Sequence, residues 1–196
     1  MTYRIGLTGG IGCGKSAVGA VLRELGADYA DADQLVHELL AAGSPVVEQV
    51  AARFGRDVLA SDGGVDRKRL AAVVFADPAA LRDLEALLHP AVRAELRQRM
   101  AASTAPAFVL DAIKLIEGGL VKEVDSVWVV TSDPAEQRRR LIDLRGMSPA
   151  EAEARIAAQP PQESRLPHAQ VVIGNDGSLE DVRRQILSAW RDLVKD

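Results

Sequence analysis

The chain of 196 residues has a single cysteine, Cys13, so no intramolecular disulfide can form. It has no run of about 18 or more apolar residues, which excludes an ordinary membrane-spanning helix. It has no excess of positive charge: 24 Lys and Arg stand against 28 Asp and Glu, a net charge of -4. That argues against a nucleic-acid binder driven by bulk charge. Internal repeats and low-complexity segments are also missing. The first residues lead straight into a strand pattern and lack the charged, apolar and small-residue regions of a secretory signal. With one cysteine, these features favour the cytosol. The length suffices for one well-buried core with appendages.

The most informative stretch is Gly9-Gly10-Ile11-Gly12-Cys13-Gly14-Lys15-Ser16. It fits the phosphate-loop pattern G-x-x-x-x-G-K-[ST] at every fixed position. Tyr3-Arg4-Ile5-Gly6-Leu7 before it reads as a short strand, and Ala17, Val18, Val21, Leu22 and Leu25 after it recur at helical spacing. A strand, a glycine-rich turn and a helix N-terminus together make a phosphate site. Glycines let backbone N–H groups converge on phosphate oxygens without Cβ interference. Lys15 adds charge toward the β- and γ-phosphates, and the Ser16 hydroxyl is placed to hold Mg²⁺.

Beyond that loop the pattern alternates. Gly26 suits the end of the first helix. Residues 34–103 read as almost entirely helical, with cap-plus-proline starts at Ser44-Pro45 and Asp77-Pro78 and a kink or break expected at Pro90 after His89. Ala107-Phe108-Val109-Leu110-Asp111 and Ser126-Val127-Trp128-Val129-Val130 are continuous apolar runs that suit parallel strands covered on both faces. Asp133-Pro134 starts a further helix, and Ser148-Pro149-x-Glu151 is a capping-box pattern. Arg138, Arg139, Arg140, Arg145, Arg155 and Arg165 crowd the region before a last strand, Val171-Val172-Ile173. A final amphipathic helix follows Ser178, with Leu179, Val182, Ile186, Trp190 and Leu193 inward. The fold class is therefore α/β, with about five parallel strands flanked by helices, a helical substrate-binding insertion and a small helical lid. The boundaries fall at 1–33, 104–137 and 168–196 for the nucleotide-binding core, 34–103 for the insertion and 138–167 for the lid.

Proteins with this loop divide broadly into motors, switches and small-molecule kinases. The chain is short for a motor and lacks a clear guanine-reading N-K-x-D. A helical excursion and an arginine-rich segment suit a metabolite kinase with an acceptor domain and a closing lid. Asp33 of Asp31-Ala32-Asp33 follows the second strand, at the edge where open α/β sheets bind ligands. Two readings stand: it accepts the proton of a substrate hydroxyl or helps bind Mg²⁺, or it only caps the next helix. Arg93 is either a phosphate fork or a solvated arginine, and His89 alone reads as a helix-end residue. The arginines 138–145 either neutralise phosphoryl charge or form a charged helix face.

In this order, these residues resemble the dephospho-CoA kinase family from about Tyr3 to Trp190. The likeness rests on I-G-L-T-G-G-I-G-C-G-K-S at 5–16, D-A-D at 31–33, F-G-x-x-V-L at 54–59, V-D-R at 65–67 and V-F-x-D-P at 74–78. It continues through H-P-x-x-R at 89–93, Q-x-x-R at 137–140, R-I-A-A-Q at 155–159, R-L at 165–166 and N-x-G at 175–177. The resemblance implies a P-loop kinase fold and transfer of the ATP γ-phosphoryl group to the ribose 3′-hydroxyl of dephospho-CoA, with Mg²⁺. It implies an ATP site at Gly10, Ile11, Gly12, Cys13, Gly14, Lys15, Ser16, Ala17, Arg140 and Asn175. Lys15, Asp33 and Arg140 are then catalytic, and Asp33, His89, Arg93 and Lys114 lie on the acceptor side. The expected partners are ATP and dephospho-CoA, with no nucleic acid or membrane, on a monomer or weak homo-oligomer.

Some positions depart from that family's pattern. Cys13 replaces a usual Ser, and Leu144 stands where a second lid arginine is expected, with Arg145 next door. His37 replaces an Arg, Gln170 and Gly174 replace acidic residues, and Lys114 enters an apolar run. Buried there, its ammonium needs a partner: a substrate diphosphate, or Asp111 or Glu117. Cys13, in an electropositive loop at a helix N-terminus, reads as a thiol that reacts unless nucleotide covers it, or as a small stand-in for Ser. Two alternatives to the family activity are another metabolite kinase on the same scaffold, and a non-enzymatic ATP-binding regulator. Retention of Lys15, Ser16, Asp33 and Arg140 counts against the second.

Overall fold

The computed structural model describes residues 2–193, which divide into two compact units, one of residues 2–30 with 103–193 and one of Asp31–Ala102. The first contains a five-stranded sheet in the order β2-β3-β1-β4-β5, from β1 (Tyr3–Gly9), β2 (Asp28–Asp31), β3 (Ala107–Asp111), β4 (Ser126–Thr131) and β5 (Val171–Gly174). β1 pairs in parallel with β3 and β4, and β4 with β5. The strand order reverses around β1, so the crevice at its carboxyl end, just past Gly9, is where such a sheet receives a ligand. All five residues of β3 are buried, as a strand covered on both faces requires.

Ile5, Leu7, Val109, Trp128 and Val130 of the central strands pack with Val18 and Leu22 of α1 (Lys15–Glu24) and with Val182, Ile186 and Trp190 of α8 (Leu179–Leu193). Leu193 packs at the margin of this core, whereas Leu179, expected inward, is 66% exposed because it occupies the first turn, ahead of the apolar stripe. The arginine-rich region forms α6 (Pro134–Arg145) and α7 (Pro149–Ala157). Asp133 caps α6, and the Ser148/Glu151 capping box starts α7 with both reciprocal bonds made.

The second unit is helical: α2 (Ala32–Leu39), α3 (Pro45–Phe54), α4 (Arg67–Ala76) and α5 (Pro78–Ala102). Its core joins Leu40, Val46, Val50, Val58, Leu70, Val74, Leu84 and Leu88. Of the kink or break expected at Pro90, the break is absent, and α5 runs through it without interruption. Proline removes one donor from the helix ladder, but buried Leu84, Leu88, Val92 and Leu96 keep the same face packed before and after it.

Candidate active site

The site starts where β1 runs out. Gly12 and Gly14 take φ of 76° and 91°, left-handed values that favour glycine. Space excludes side chains there too: a Cβ on Gly14 would lie 1.9 Å from the Asn175 amide nitrogen, and one on Gly12 2.8 Å from the Gln137 carbonyl. Gly14 is the N-cap of α1 and offers no side-chain acceptor, so the first amides of that helix remain available to an anion. Lys15 Nζ donates to the Gly9 carbonyl (3.3 Å) and lies 3.9 Å from Asp111 Oδ1.

Asp111 ends β3 and is buried. Its other oxygen accepts a 2.6 Å bond from the Tyr29 hydroxyl. Tyr29 is itself held on two sides, by close approach to Gly19 and by the Arg23 guanidinium 3.5 Å over its ring. Asp111 is thus a member of the loop site; the sequence put it at the ligand edge of the sheet, but only as a candidate partner of Lys114. The available signal was a lone carboxylate closing a wholly apolar strand. Lys114 itself lies exposed in the turn after β3, so the burial cost that motivated a search for its partner does not arise.

The arginines separate into distinct tasks. Arg139 pairs with Glu136 and Asp143 on an exposed helix face, and Arg138 with Glu153. The Arg139 guanidinium, helped by Arg140, holds the Glu136 carboxyl down at about 2. Arg140 turns inward. It donates to the carbonyls of Asn175 (2.6 Å), Cys13 (3.3 Å) and Gly12 (3.4 Å), and to Glu136 (2.9 Å). Asn175, also buried, donates its side-chain amide to the same Cys13 carbonyl at 2.8 Å. Arg140 and Asn175 therefore clamp the loop from behind. A cleft of about 380 Å³ opens on the loop's other side, lined by Gly10, Gly12, Gly14, Lys15 and Ser16 together with Ile113, Arg145, Arg155 and Gln159. Arg155 was visible in the sequence only as a basic residue opening the R-I-A-A-Q stretch, with no role assigned to it. Gln159 accepts a 2.9 Å bond from the Ile11 amide, tying the segment after α7 to the loop.

Cys13 corrects an expectation. Its side chain is fully buried in the sheet core and does not line the cleft. Burial pushes its thiol up, against a weaker opposing pull from Lys15. The small apolar character of the side chain is what the site uses.

In the helical unit, Asp31 Oδ1 accepts from the amides of Asp33 (2.8 Å) and Gln34 (3.1 Å). Asp31 is the cap of α2, and the Asp33 carboxylate, exposed in the first turn, is released from that task. His89 and Arg93 stand one turn apart on α5, His89 exposed and Arg93 half-buried.

A phosphate loop with Lys15 beside a strand-end carboxylate and two cleft-lining arginines is shared by many kinases, and the whole chain narrows the choice. The dephospho-CoA kinase family model matches residues 3–181. The chain belongs to the dephospho-CoA kinase family. Family members are phosphotransferases with an alcohol acceptor. A dephospho-CoA kinase of Symbiobacterium thermophilum is 48% identical over 190 residues, 95% of this chain and 80% of the relative. One of Streptomyces avermitilis is 45% identical, over 97% of this chain and 94% of its own length. Among solved structures, a Thermus thermophilus protein aligns with a TM-score of 0.84 at 35% identity over 98% of both chains. The dephospho-CoA kinase of Campylobacter jejuni aligns at 0.73 and 25%, over 100% of this chain and 98% of that one. A shikimate kinase of Bacteroides thetaiotaomicron, at 0.54 and 18%, shares the fold.

Proposed function

We infer that the protein transfers the γ-phosphoryl group of ATP to the ribose 3′-hydroxyl of dephospho-CoA, giving coenzyme A and ADP in the cytoplasm. The observation that carries this reading is the cationic cleft on the phosphate loop in a chain that matches the family nearly end to end. The loop from Gly10 to Ala17 receives the phosphates. Lys15, Arg145 and Arg155 offset the charge that shifts toward the β–γ bridging oxygen as its bond to the γ-phosphorus breaks. Asp33 accepts the proton of the 3′-hydroxyl as that oxygen bonds to phosphorus. Release of Asp33 from the capping role supports this assignment. The unit 31–102 takes the acceptor, with His89 and Arg93 on that side, and 138–167 acts as the lid. Lys114, exposed beyond β3, is assigned in this reading to the acceptor side.

Mg²⁺ needs oxygen ligands and keeps several waters and phosphate oxygens of its own. The Ser16 hydroxyl and the Asp111 carboxylate fit that demand, and among the described residues no larger acidic cluster competes. Bound there, the ion would neutralise charge on the β- and γ-phosphates. Lys15 and Tyr29 fix where the Asp111 oxygens point.

One assay tests the reading: ADP release with dephospho-CoA, with other hydroxyl acceptors, and with none. Turnover with dephospho-CoA at least about tenfold above every other acceptor is expected. Faster turnover with another hydroxyl acceptor would establish a different metabolite kinase.

A further inference from the structure

Arg165 lies in the segment between α7 and β5 and is only 1% exposed. Its Nη1 donates to the Pro160 carbonyl at 3.2 Å, while Nε and Nη2, both buried, have no hydrogen-bond partner. Among the described residues no carboxylate pairs with it. A guanidinium never loses its proton in a protein, so this charge cannot escape its burial by titrating. A buried cation left in that state is costly, and it persists where something outside the resting chain repays it.

The surroundings indicate what repays it. Arg165 lines a second cavity of about 180 Å³, which shares Gly10 and Gln159 with the phosphate cleft. Gln159 binds the loop directly through the Ile11 amide. The segment is also fixed in place, since the Gln162 side chain accepts from the Ser132 amide at 3.0 Å. The guanidinium is therefore held in a cavity that adjoins the phosphate cleft, and Glu163, on the wall of the same cavity, does not pair with it.

We propose that Arg165 is a polyphosphate-affinity residue: its buried, unpaired charge is neutralised by the nucleotide's β-phosphate and beyond, and the empty enzyme is destabilised in return. The proposal rests on the nucleotide site described above. It differs from a structural role in a sign. A residue that merely holds the segment together would leave the protein less stable when replaced. A residue held in an unpaired state for its ligand leaves the empty protein as stable or more stable, and weakens only ligands that carry the charge.

Arg165→Met keeps much of the stem and removes the charge, and Arg165→Lys keeps the charge. Calorimetric titrations of the intact enzyme with AMP and ADP, and thermal melts without nucleotide, test the proposal. Arg165→Met should bind ADP at least about tenfold more weakly, the loss of one charge-assisted contact. It should bind AMP within about threefold of wild type and melt no lower than wild type when empty. Arg165→Lys should keep ADP affinity within about threefold. Unchanged ADP affinity in folded Arg165→Met overturns the proposal, as does an equal loss for AMP and ADP with a lowered melting temperature. If Arg165→Met does not fold, Arg165→Gln takes its place under the same criteria, and failure of both to fold makes the role structural and ends the proposal. Wild-type ADP binding that survives Lys15→Ala unchanged would instead refute the phosphate-loop reading, and the proposal with it.

Discussion

Replacing Arg140 with methionine separates two roles that its motif position leaves joined. In the structure Arg140 is 16% exposed at its side chain and spends its donors on protein oxygens. The 2.6 Å bond to the Asn175 carbonyl is charge-assisted and largely buried, and its loss costs about 1.5–3 kcal/mol. The Glu136 pair is open to solvent and Glu136 keeps Arg139, so that part adds little. The two longer contacts to Gly12 and Cys13 add roughly 0.5 kcal/mol. Together Arg140→Met should destabilise the enzyme by about 2–4 kcal/mol, lowering its melting temperature by roughly 5–15 °C for a chain of this size. Asn175→Ala removes the other donor to the Cys13 carbonyl, so the two substitutions should couple by at least about 0.5 kcal/mol in a double-mutant cycle. The assay is a pair of measurements on each variant: a melt followed by circular dichroism, and kcat and KM for ATP. The clamp predicts that melting temperature and turnover fall together. A large loss of turnover with a melting temperature within about 1 °C of wild type would refute the clamp and return Arg140 to the substrate side of the loop.

Asp33→Asn should lower kcat by about 10²-fold or more with little change in ATP binding or melting temperature, since the α2 cap belongs to Asp31; unchanged turnover in the folded variant removes Asp33 from the chemistry. Cys13 should alkylate slowly in the folded enzyme, equally with and without Mg-ATP, and fast only in denaturant, because its thiol is buried; rapid labelling that ATP suppresses would show an exposed loop thiol. Glu136 is held near 2 from an ordinary 4.5, so its contribution to stability is present above about 4.5 and is lost as pH falls toward about 2. Glu136→Gln should therefore flatten that part of the acid limb of a stability-against-pH curve, and an acid limb identical to wild type would rule the pairing out as a contributor.

Much of the fold was legible because its determinants are local. The apolar runs at Ala107–Asp111 and Ser126–Thr131, the cap at Asp133 and the box at Ser148 each specify their element within a few residues. Pro90 escaped because helix continuity there is decided by packing on both sides of it, a property of α5 as a whole. Leu179 escaped because helical spacing assigns a face to every apolar residue, whereas the first turn of a helix can overhang the surface it packs on.

The site divides along the same line. Gly9 to Ser16 could be read directly, since a phosphate loop is contiguous and Gly12 and Gly14 are required there by positive φ and close approach. The partners of that loop come from elsewhere: Tyr29 and Asp111 from neighbouring strands, Arg140 from the arginine-rich α6, Asn175 from just past β5, Gln159 from the end of α7. A row of arginines in sequence carries no mark of which one turns inward, because each sits about 100° around α6 from the next. That angle alone separates Arg139, paired on the surface, from Arg140 on the loop. Cys13 shows the converse. Its loop position argued for a reactive thiolate, but the side chain of a loop residue between two left-handed glycines is aimed by the backbone, and here the backbone aims it into the sheet. Loop chemistry is therefore set by main-chain geometry first, and by residue type only where that geometry lets a side chain reach the cleft.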